Sequence, residues 1–432
     1  MKRFTNTDLS KSITHGDRLL IVIDDRVHDV SGWVNSHPGG SSLLRRYRGR
    51  DASDVFHAFH GPEVTKKLRA FDVGGVGDGV GDGDEFDPDK KSCTSSSTAR
   101  ETTAFRALRD ELWNEGAFES NACAVLGQLA RMLLILGIAM WLTFVWREWV
   151  VLGAAALGLF WQQSLLLAHD ACHRSVTRHT SVDKKLGSVL GTLIGGVGAG
   201  WWNQEHCEHH ACTQVIGPEG DPSAGSEPVL CPHVSMTQKL SRRARFFVNF
   251  QAFYYVPICV FVGRVNLHVI SIIKAPSGEK ALDTLLMFGY VLYNAALLLA
   301  VDGSRARVAF FVVSNATCGV LHLILNMNHY PMPMLEFGDA VSMGFLRFQC
   351  TTTLNIEAGF FAWYYGGLEL QIEHHLFPLM PRDYLPKISQ RVKKLCMDHD
   401  VPYTVASGFW NANGKVLKTL NDVVKRDADG VR

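Results

Sequence analysis

The sequence lacks a charge excess of either sign: 43 Lys and Arg against 42 Asp and Glu leave a formal net charge of +1 over 432 residues. A nucleic-acid-binding chain would carry a basic footprint, so nucleic acid is excluded as a partner. The 10 cysteines stand singly, without a C-x-x-C pair or a framework of short spacings. That pattern argues against a disulfide scaffold and for reduced thiols facing the cytosol or buried in a membrane. Met1 to Ser12 is polar and offers no apolar stretch of the kind a cleaved secretory signal needs. No H-E-x-x-H occurs, which removes the commonest signature of a zinc hydrolase. Residues 74–98 are rich in Gly, Asp and Ser, hold almost nothing to bury, and read as a flexible linker.

Apolar weight is concentrated between residues 121 and 330. Five stretches, 123–146, 151–168, 246–263, 282–301 and 308–327, approach the roughly 18–20 residues needed to cross a hydrocarbon core. Leu186 to Gly200 is too short and too Gly-rich to do so. Arg131 falls inside the first stretch, where its charge must snorkel or face protein. Short connectors at 147–150 and 302–307 predict two helical hairpins, 123–168 and 282–327. Residues 12–73 read instead as a small mixed domain: a strand over Leu19–Ile23, a turn at Asp24-Asp25, and a strand over Val27–Val30. A helical pattern follows from Ser41 to Leu68, broken at Gly49 and Gly61-Pro62.

Two sets of histidines carry chemistry. In the small domain His37-Pro38-Gly39-Gly40 is followed by Asp51-Ala52-Ser53-Asp54-Val55-Phe56 and then His60. Two neutral imidazoles can clamp a haem iron from opposite faces, leaving no open position and favouring electron transfer. The run resembles cytochrome b5 over about sixty residues. The resemblance implies haem b, with His37 and His60 as axial ligands; His57, three residues earlier, competes with His60 for the second position.

In the remaining chain fewer than one adjacent His pair is expected by chance from 18 His, so the two present mean little alone. Their surroundings are more specific. His169-Asp170-Ala171-Cys172-His173 sets two imidazoles four apart on one helix face. His206-Cys207-Glu208-His209-His210 groups three, and Gln371-Ile372-Glu373-His374-His375 repeats that arrangement with Gln first. Imidazole ligands without thiolate suit iron, copper or zinc, and their number points to more than one ion. Asp170 and Glu208 either orient ligand imidazoles or are helix-surface charges. Trp201 and Trp202 either line a substrate path or anchor an interface.

These boxes, in this order between apolar stretches, resemble the membrane-bound histidine-box desaturases. Gln371 at the head of the third box, the run on to Leu376-Phe377-Pro378 and Met380-Pro381-Arg382, and Trp201-Trp202 before the second box resemble the front-end subgroup fused to cytochrome b5. The resemblance implies two non-haem irons held by His169, His173, His206, His209, His210, His374 and His375. His329, near the end of the last span, joins them, and Gln371 enters as a weaker ligand or an orienting group. No catalytic residue is implied beyond the metal ligands, and His322 is left as a packed or hydrogen-bonded histidine.

The expected fold is mainly α. A small α+β haem domain (12–73) and a linker (74–98) lead into a four-span helical membrane domain (99–432) with a histidine-rich cytosolic cap. All boxes must face one side to share a site. Three apolar stretches separate the second box from the third, so one of them must lie in the interface; 246–263 is chosen because Tyr254-Tyr255-Val256-Pro257 interrupts it. Basic residues such as Lys184, Arg242 and Lys387 put the box side in the cytosol. The resemblance further implies the endoplasmic reticulum membrane, O2 as co-substrate and an NADH-cytochrome b5 reductase as electron source. The substrate would be a fatty-acyl chain on coenzyme A or a phospholipid. Alternatives are a sphingolipid long-chain-base desaturase, a hydroxylase on the same scaffold, and a membrane-anchored haem carrier without iron.

Overall fold

The computed structural model describes residues 2–15, 18–77, 96–217, 220–224, 230–238 and 240–428. The N-terminal domain is a four-stranded sheet with short helices. Its strands are β1 (Arg3–Phe4), β2 (Leu20–Ile23), β3 (Arg26–Asp29) and β4 (Asp72–Val76), in the order β1-β4-β3-β2. β2 and β3 pair antiparallel through Asp24 and Asp25, whose φ angles of 50° and 58° are those of a tight two-residue hairpin turn. The sheet reaches beyond 12–73 at both ends, because β1 pairs parallel with β4. Residues 78–95, most of the expected linker, lie outside the described residues. Helices α1 (Asn6–His15), α2 (Ser41–Arg46) and α3 (Ser53–Phe59) complete the domain.

The larger domain is helical. After α4 (Ser96–Asn114), α5 (Ala122–Phe144) starts at Asn121, whose side chain accepts a hydrogen bond from Ala124 N at 3.2 Å. α6 (Val150–Cys172) returns antiparallel to it. Glycine lets these helices approach: a Cβ at Gly153 would meet Thr143 Oγ1 at 2.3 Å, and one at Gly158 would meet Ser314 O at 2.3 Å. Arg131 on α5 turns inward, donating to Gln163 Oε1 at 3.2 Å and lying 5.5 Å from the Trp363 ring centroid.

The segment Leu186–Gly200 does not cross. α7 (Thr180–Gly187) continues as a π-helical turn, Ser188–Ile194, and the chain then doubles back into α8 (Ala199–Ala211). Tyr293 Oη donates to Ile194 O at 2.6 Å at the bottom of this dip. Thr192 Oγ1 accepts from Ala199 N at 3.0 Å as the chain climbs back.

Among the described residues five helices have the length and composition to span a membrane, including α9 (Gln251–Ile273), α10 (Lys280–Ala300) and α11 (Ser304–Met327). α9 is longer than the 246–263 expected and is not broken at Pro257. A π-helical segment, Ile258–Gly263, follows the proline, and Arg264 is accommodated by donating to Asn315 Oδ1 and Tyr290 Oη at 3.1 Å each. Both ends of α9 lie on the histidine side. At its start Gln251 Nε2 donates to Leu420 O at 2.9 Å; just past its end Lys274 Nζ lies 3.7 Å from Glu205 on α8. α9 thus enters and leaves on one face, and the remaining four helices form two crossing hairpins. The chain ends in α12 (Phe345–Thr352), α13 (Gln371–Leu376), α14 (Leu385–Asp398) and α15 (Phe409–Ala428).

Two predictions test this arrangement. An epitope inserted at Gly278 should be accessible from the same side of sealed vesicles as one at Ser241, and one at Gly303 from the other side. Accessibility of 278 and 303 from one face would contradict the re-entry of α9. A Cβ at Gly319 would fall 2.0 Å from Val260 O. Gly319→Val should therefore separate α9 from α11 and cost about 1–3 kcal/mol, read as a lower unfolding temperature in detergent.

Candidate metal centre

Helix geometry explains why the histidines come in pairs. Residues four apart share a face, whereas neighbours are turned by about 100°. On α8, His206 and His210 therefore point one way and His209 another. On α13 the adjacent His374 and His375 diverge likewise. The outcome is two groups. His169, His173, His206, His210 and His374 place ligand nitrogens within 4.8 Å of one another, and His209, His329 and His375 do the same. All eight are buried. The structure thus brings together every sequence-derived histidine of the three boxes, with His329 among them. His322 is buried but belongs to neither group.

Hydrogen bonds set the tautomers. His329 Nδ1 lies 3.2 Å from Thr352 O, His375 Nδ1 lies 3.0 Å from Gln349 Oε1, and His209 Nδ1 lies 2.8 Å from an Asp221 carboxylate oxygen. Each partner is an acceptor, so the proton sits on Nδ1 and the Nε2 lone pair faces inward. His169 Nδ1 meets Asp170 Oδ1 at 3.3 Å, and Arg382 binds the other oxygen of that carboxylate. Burial, reinforced by neighbouring imidazoles, pushes His173, His206, His210, His374 and His375 well below the usual range. Burial also takes His329 down to about 3. These imidazoles are neutral at physiological pH, the form that binds metal.

The groups fit metal ions. The inward nitrogens His169 Nε2, His173 Nε2 and His374 Nε2 are buried without a hydrogen-bond partner, which is costly unless something else uses their lone pairs. His206 Nε2 and His210 Nε2 face each other at 3.1 Å. Nitrogens bonded at about 2 Å to one ion sit about that far apart. Imidazole with no thiolate is a donor set for iron, copper or zinc.

Gln371 reaches the second group at the nitrogens that face inward. Its amide nitrogen lies 3.1 Å from both His329 Nε2 and His375 Nε2, while its oxygen accepts from Asn328 Nδ2 at 3.0 Å. Asn328 Nδ2 also donates to Leu368 O at 2.6 Å, which fixes that amide and, through it, Gln371. In this orientation Gln371 bridges two imidazoles. Glu208 does not orient an imidazole, since it turns away from them to Ser42 and Arg46. Trp202 stacks on His206 with ring centroids 5.1 Å apart, whereas Trp201 Nε1 donates to Glu205 at 2.7 Å. Sequence reasoning missed Asp221, Gln349 and Thr352. Asp221 stands in a Gly-Asp-Pro turn, and nothing local in the other two signals their role.

In the small domain His37 and His60 face each other with ring centroids 6.2 Å apart. His37 Nδ1 meets Gly40 O at 3.2 Å and His60 Nδ1 meets Phe56 O at 2.9 Å. Both rings thereby keep Nε2 free to ligate, and both fit haem iron. His57 is engaged elsewhere, with Nε2 2.9 Å from Asp24 Oδ2.

Two adjoining cavities share Trp202, Leu267, His322, Leu325 and Leu368. The first is lined by His169 and runs between α6, α9 and α11 to Arg264 and Cys318. The second passes His206, His209 and His329 and reaches Glu205 and Ser223. Together they form a mostly apolar channel beside both histidine groups.

Comparison with known proteins agrees with this geometry. Residues 147–407 match the fatty acid desaturase family, and residues 5–77 match the cytochrome b5-like haem/steroid binding domain. A Delta(8)-fatty-acid desaturase of Helianthus annuus is 30% identical, covering 99% of this chain and 93% of the relative. An acyl-lipid (9-3)-desaturase of Borago officinalis is 27% identical over 99% of this chain and 95% of its own length. A Delta 8-(E)-sphingolipid desaturase of Komagataella phaffii is 25% identical over 94% and 91%. With paired histidine groups at the end of a helical membrane domain and a haem-type module ahead of it, the chain belongs to the fatty acid desaturase family and carries an N-terminal cytochrome b5-like domain.

Proposed function

We propose that the protein is a front-end desaturase of long-chain unsaturated fatty-acyl chains, fed with electrons through its own haem domain. The observation that carries the reading is the apolar channel passing directly beside two buried imidazole groups. His169, His173, His206, His210 and His374 would hold one iron, and His209, His329 and His375 the other. When bound, the iron pair supplies the O2 chemistry needed to remove hydrogens from methylenes that offer no acid–base handle. His37 and His60 would hold haem b, which would supply electrons singly from an external reductase, NADH-cytochrome b5 reductase in this reading.

The chain's residues do the remaining work. Leu165, Leu166, Leu321, Leu325 and Leu368 line the channel and keep water from the acyl segment beside His169. Asp221, Gln349 and Thr352 hold the imidazoles in their ligating orientation from Nδ1. Arg264, over Trp161 at 5.0 Å, lines the inner end of the channel, where a methyl terminus would stop against a charged wall. The acyl carrier, coenzyme A or phospholipid, would sit at the Glu205–Ser223 mouth. The membrane would be that of the endoplasmic reticulum, with the histidine side in the cytosol.

A sphingolipid long-chain base is the second reading, favoured by the sphingolipid desaturases among the relatives. Feeding unsaturated fatty acids to a yeast that makes no polyunsaturated lipid, with gas chromatography of products, separates the two. A new double bond on the carboxyl side of an existing one supports the fatty-acyl reading; desaturated long-chain bases alone overturn it.

Alanine at His209 or His374 should abolish product and lower bound iron from two ions per chain, while the protein stays in the membrane. Full activity in either variant would sink the ligand assignment. Cys318→Trp should fill the inner end of the channel and shift product toward shorter acyl chains, and an unchanged chain-length profile would remove that end from the substrate path. His60→Ala should lose the Soret band of the haem, whereas His57→Ala should keep it.

A further inference from the structure

The haem domain is seated on α8, the same helix that supplies three metal-site histidines. Glu208 lies between His206 and His209 in sequence but faces the other way. Its carboxylate accepts from Ser42 Oγ and from Arg46 Nη2, the latter at 3.0 Å, and the Arg46 and Glu208 side chains are only 10% and 9% exposed. Arg46 Nη1 also donates to Gly220 O at 2.6 Å, and Tyr47 Oη to Ala211 O at 3.0 Å. A second anchor stands on α4, where Arg106 donates to both Asp54 oxygens at 2.8 and 3.1 Å. Between these anchors Phe59, the residue before His60, meets the His210 ring edge-on with centroids 6.1 Å apart. The loop after His37 is equally close, since a Cβ at Gly40 would fall 2.7 Å from Gln204 Nε2.

A buried charge pair tolerates little displacement, because sliding either partner leaves an uncompensated charge out of water. Arg46 and Glu208 therefore select one docked orientation of the haem domain, the one that sets Phe59 against His210. We propose that Arg46–Glu208 is a positioning pair and that Phe59 is the contact through which electrons pass from the haem to the histidine site. The inference rests on the function proposed above. Each transfer oxidises ferrous haem to ferric and reduces one ferric ion at the histidine site to ferrous. No atom or proton moves through Phe59, and the electrons originate with the external reductase.

The test uses the full-length protein with haem and iron bound. After the haem is reduced, its reoxidation on mixing with O2 and substrate is followed by stopped-flow absorbance. Haem and iron contents and hydrogen exchange over residues 41–46 are measured in parallel. Glu208→Gln should slow reoxidation at least about tenfold and raise exchange over 41–46, with haem and iron contents unchanged. Phe59→Ala should slow reoxidation without altering that exchange, and Phe59→Tyr should restore the wild-type rate. Wild-type rates in both Glu208→Gln and Phe59→Ala, at normal haem and iron contents, would overturn the proposal. So would loss of iron in Glu208→Gln with an unchanged rate per iron, which would make Glu208 a support of the metal ligands. If haem in the wild-type protein reoxidises equally fast with and without iron, the electron route itself fails, a result distinct from failure of these residues.

Discussion

Neutral imidazoles crowded mostly edge to face in a buried volume constrain the whole molecule. The inward lone pairs of His169, His173 and His374 are unsatisfied acceptors unless a metal uses them, and four of the rings are held by an acceptor at their other nitrogen. That requirement gathers groups far apart in sequence: Asp221 for His209, Thr352 O for His329, Gln349 for His375 and Asp170 for His169. It also dictates topology. With α6, α8, α11 and α13 all delivering histidines to one place, the intervening chain must return to that face each time. The dip at Ser188–Ile194 and the re-entry of α9 are how it does so.

The N-terminal domain answers to the same constraint from outside. Its docking surface is the back of α8, so the helix that carries the second box is gripped on two sides, by imidazoles on one and by Ser42, Arg46 and Tyr47 on the other. Asp283 on α10 adds a third hold, accepting from Gly200 N at 3.1 Å in the first turn of that helix.

Much of this was legible in the sequence wherever the information was local. The His-Pro-Gly-Gly tetrad, the Asp24-Asp25 turn and the box spacings each encode a backbone geometry within a few residues. The preference for His60 over His57 came from the motif alone; the group that engages His57, Asp24, lies 33 residues away and was not legible. Glu208 reads as an imidazole partner from its place in the box, yet its direction is set by Arg46 across a domain boundary. α9 runs past the 246–263 expected because Arg264, the charge that follows that apolar stretch, is accommodated inside the helix. Its acceptors Asn315 and Tyr290, on two other helices, make it an interior residue, and among the described residues no carboxylate pairs with it. Gln371 was read as a weaker ligand or an orienting group, and the partner that sets its amide here, Asn328, lies 43 positions earlier.

The divergence of adjacent histidines on α8 and α13 has a mechanical corollary. His209 and His210 serve different groups, as do His374 and His375, so the two centres are geared to common shafts. Any rotation of either helix about its axis would bring one centre's nitrogen closer while carrying the other's away. On the proposed two-ion reading, neither centre can then be tuned independently by helix motion, and adjustment of one is left to groups that reach it alone, such as His329 or His169.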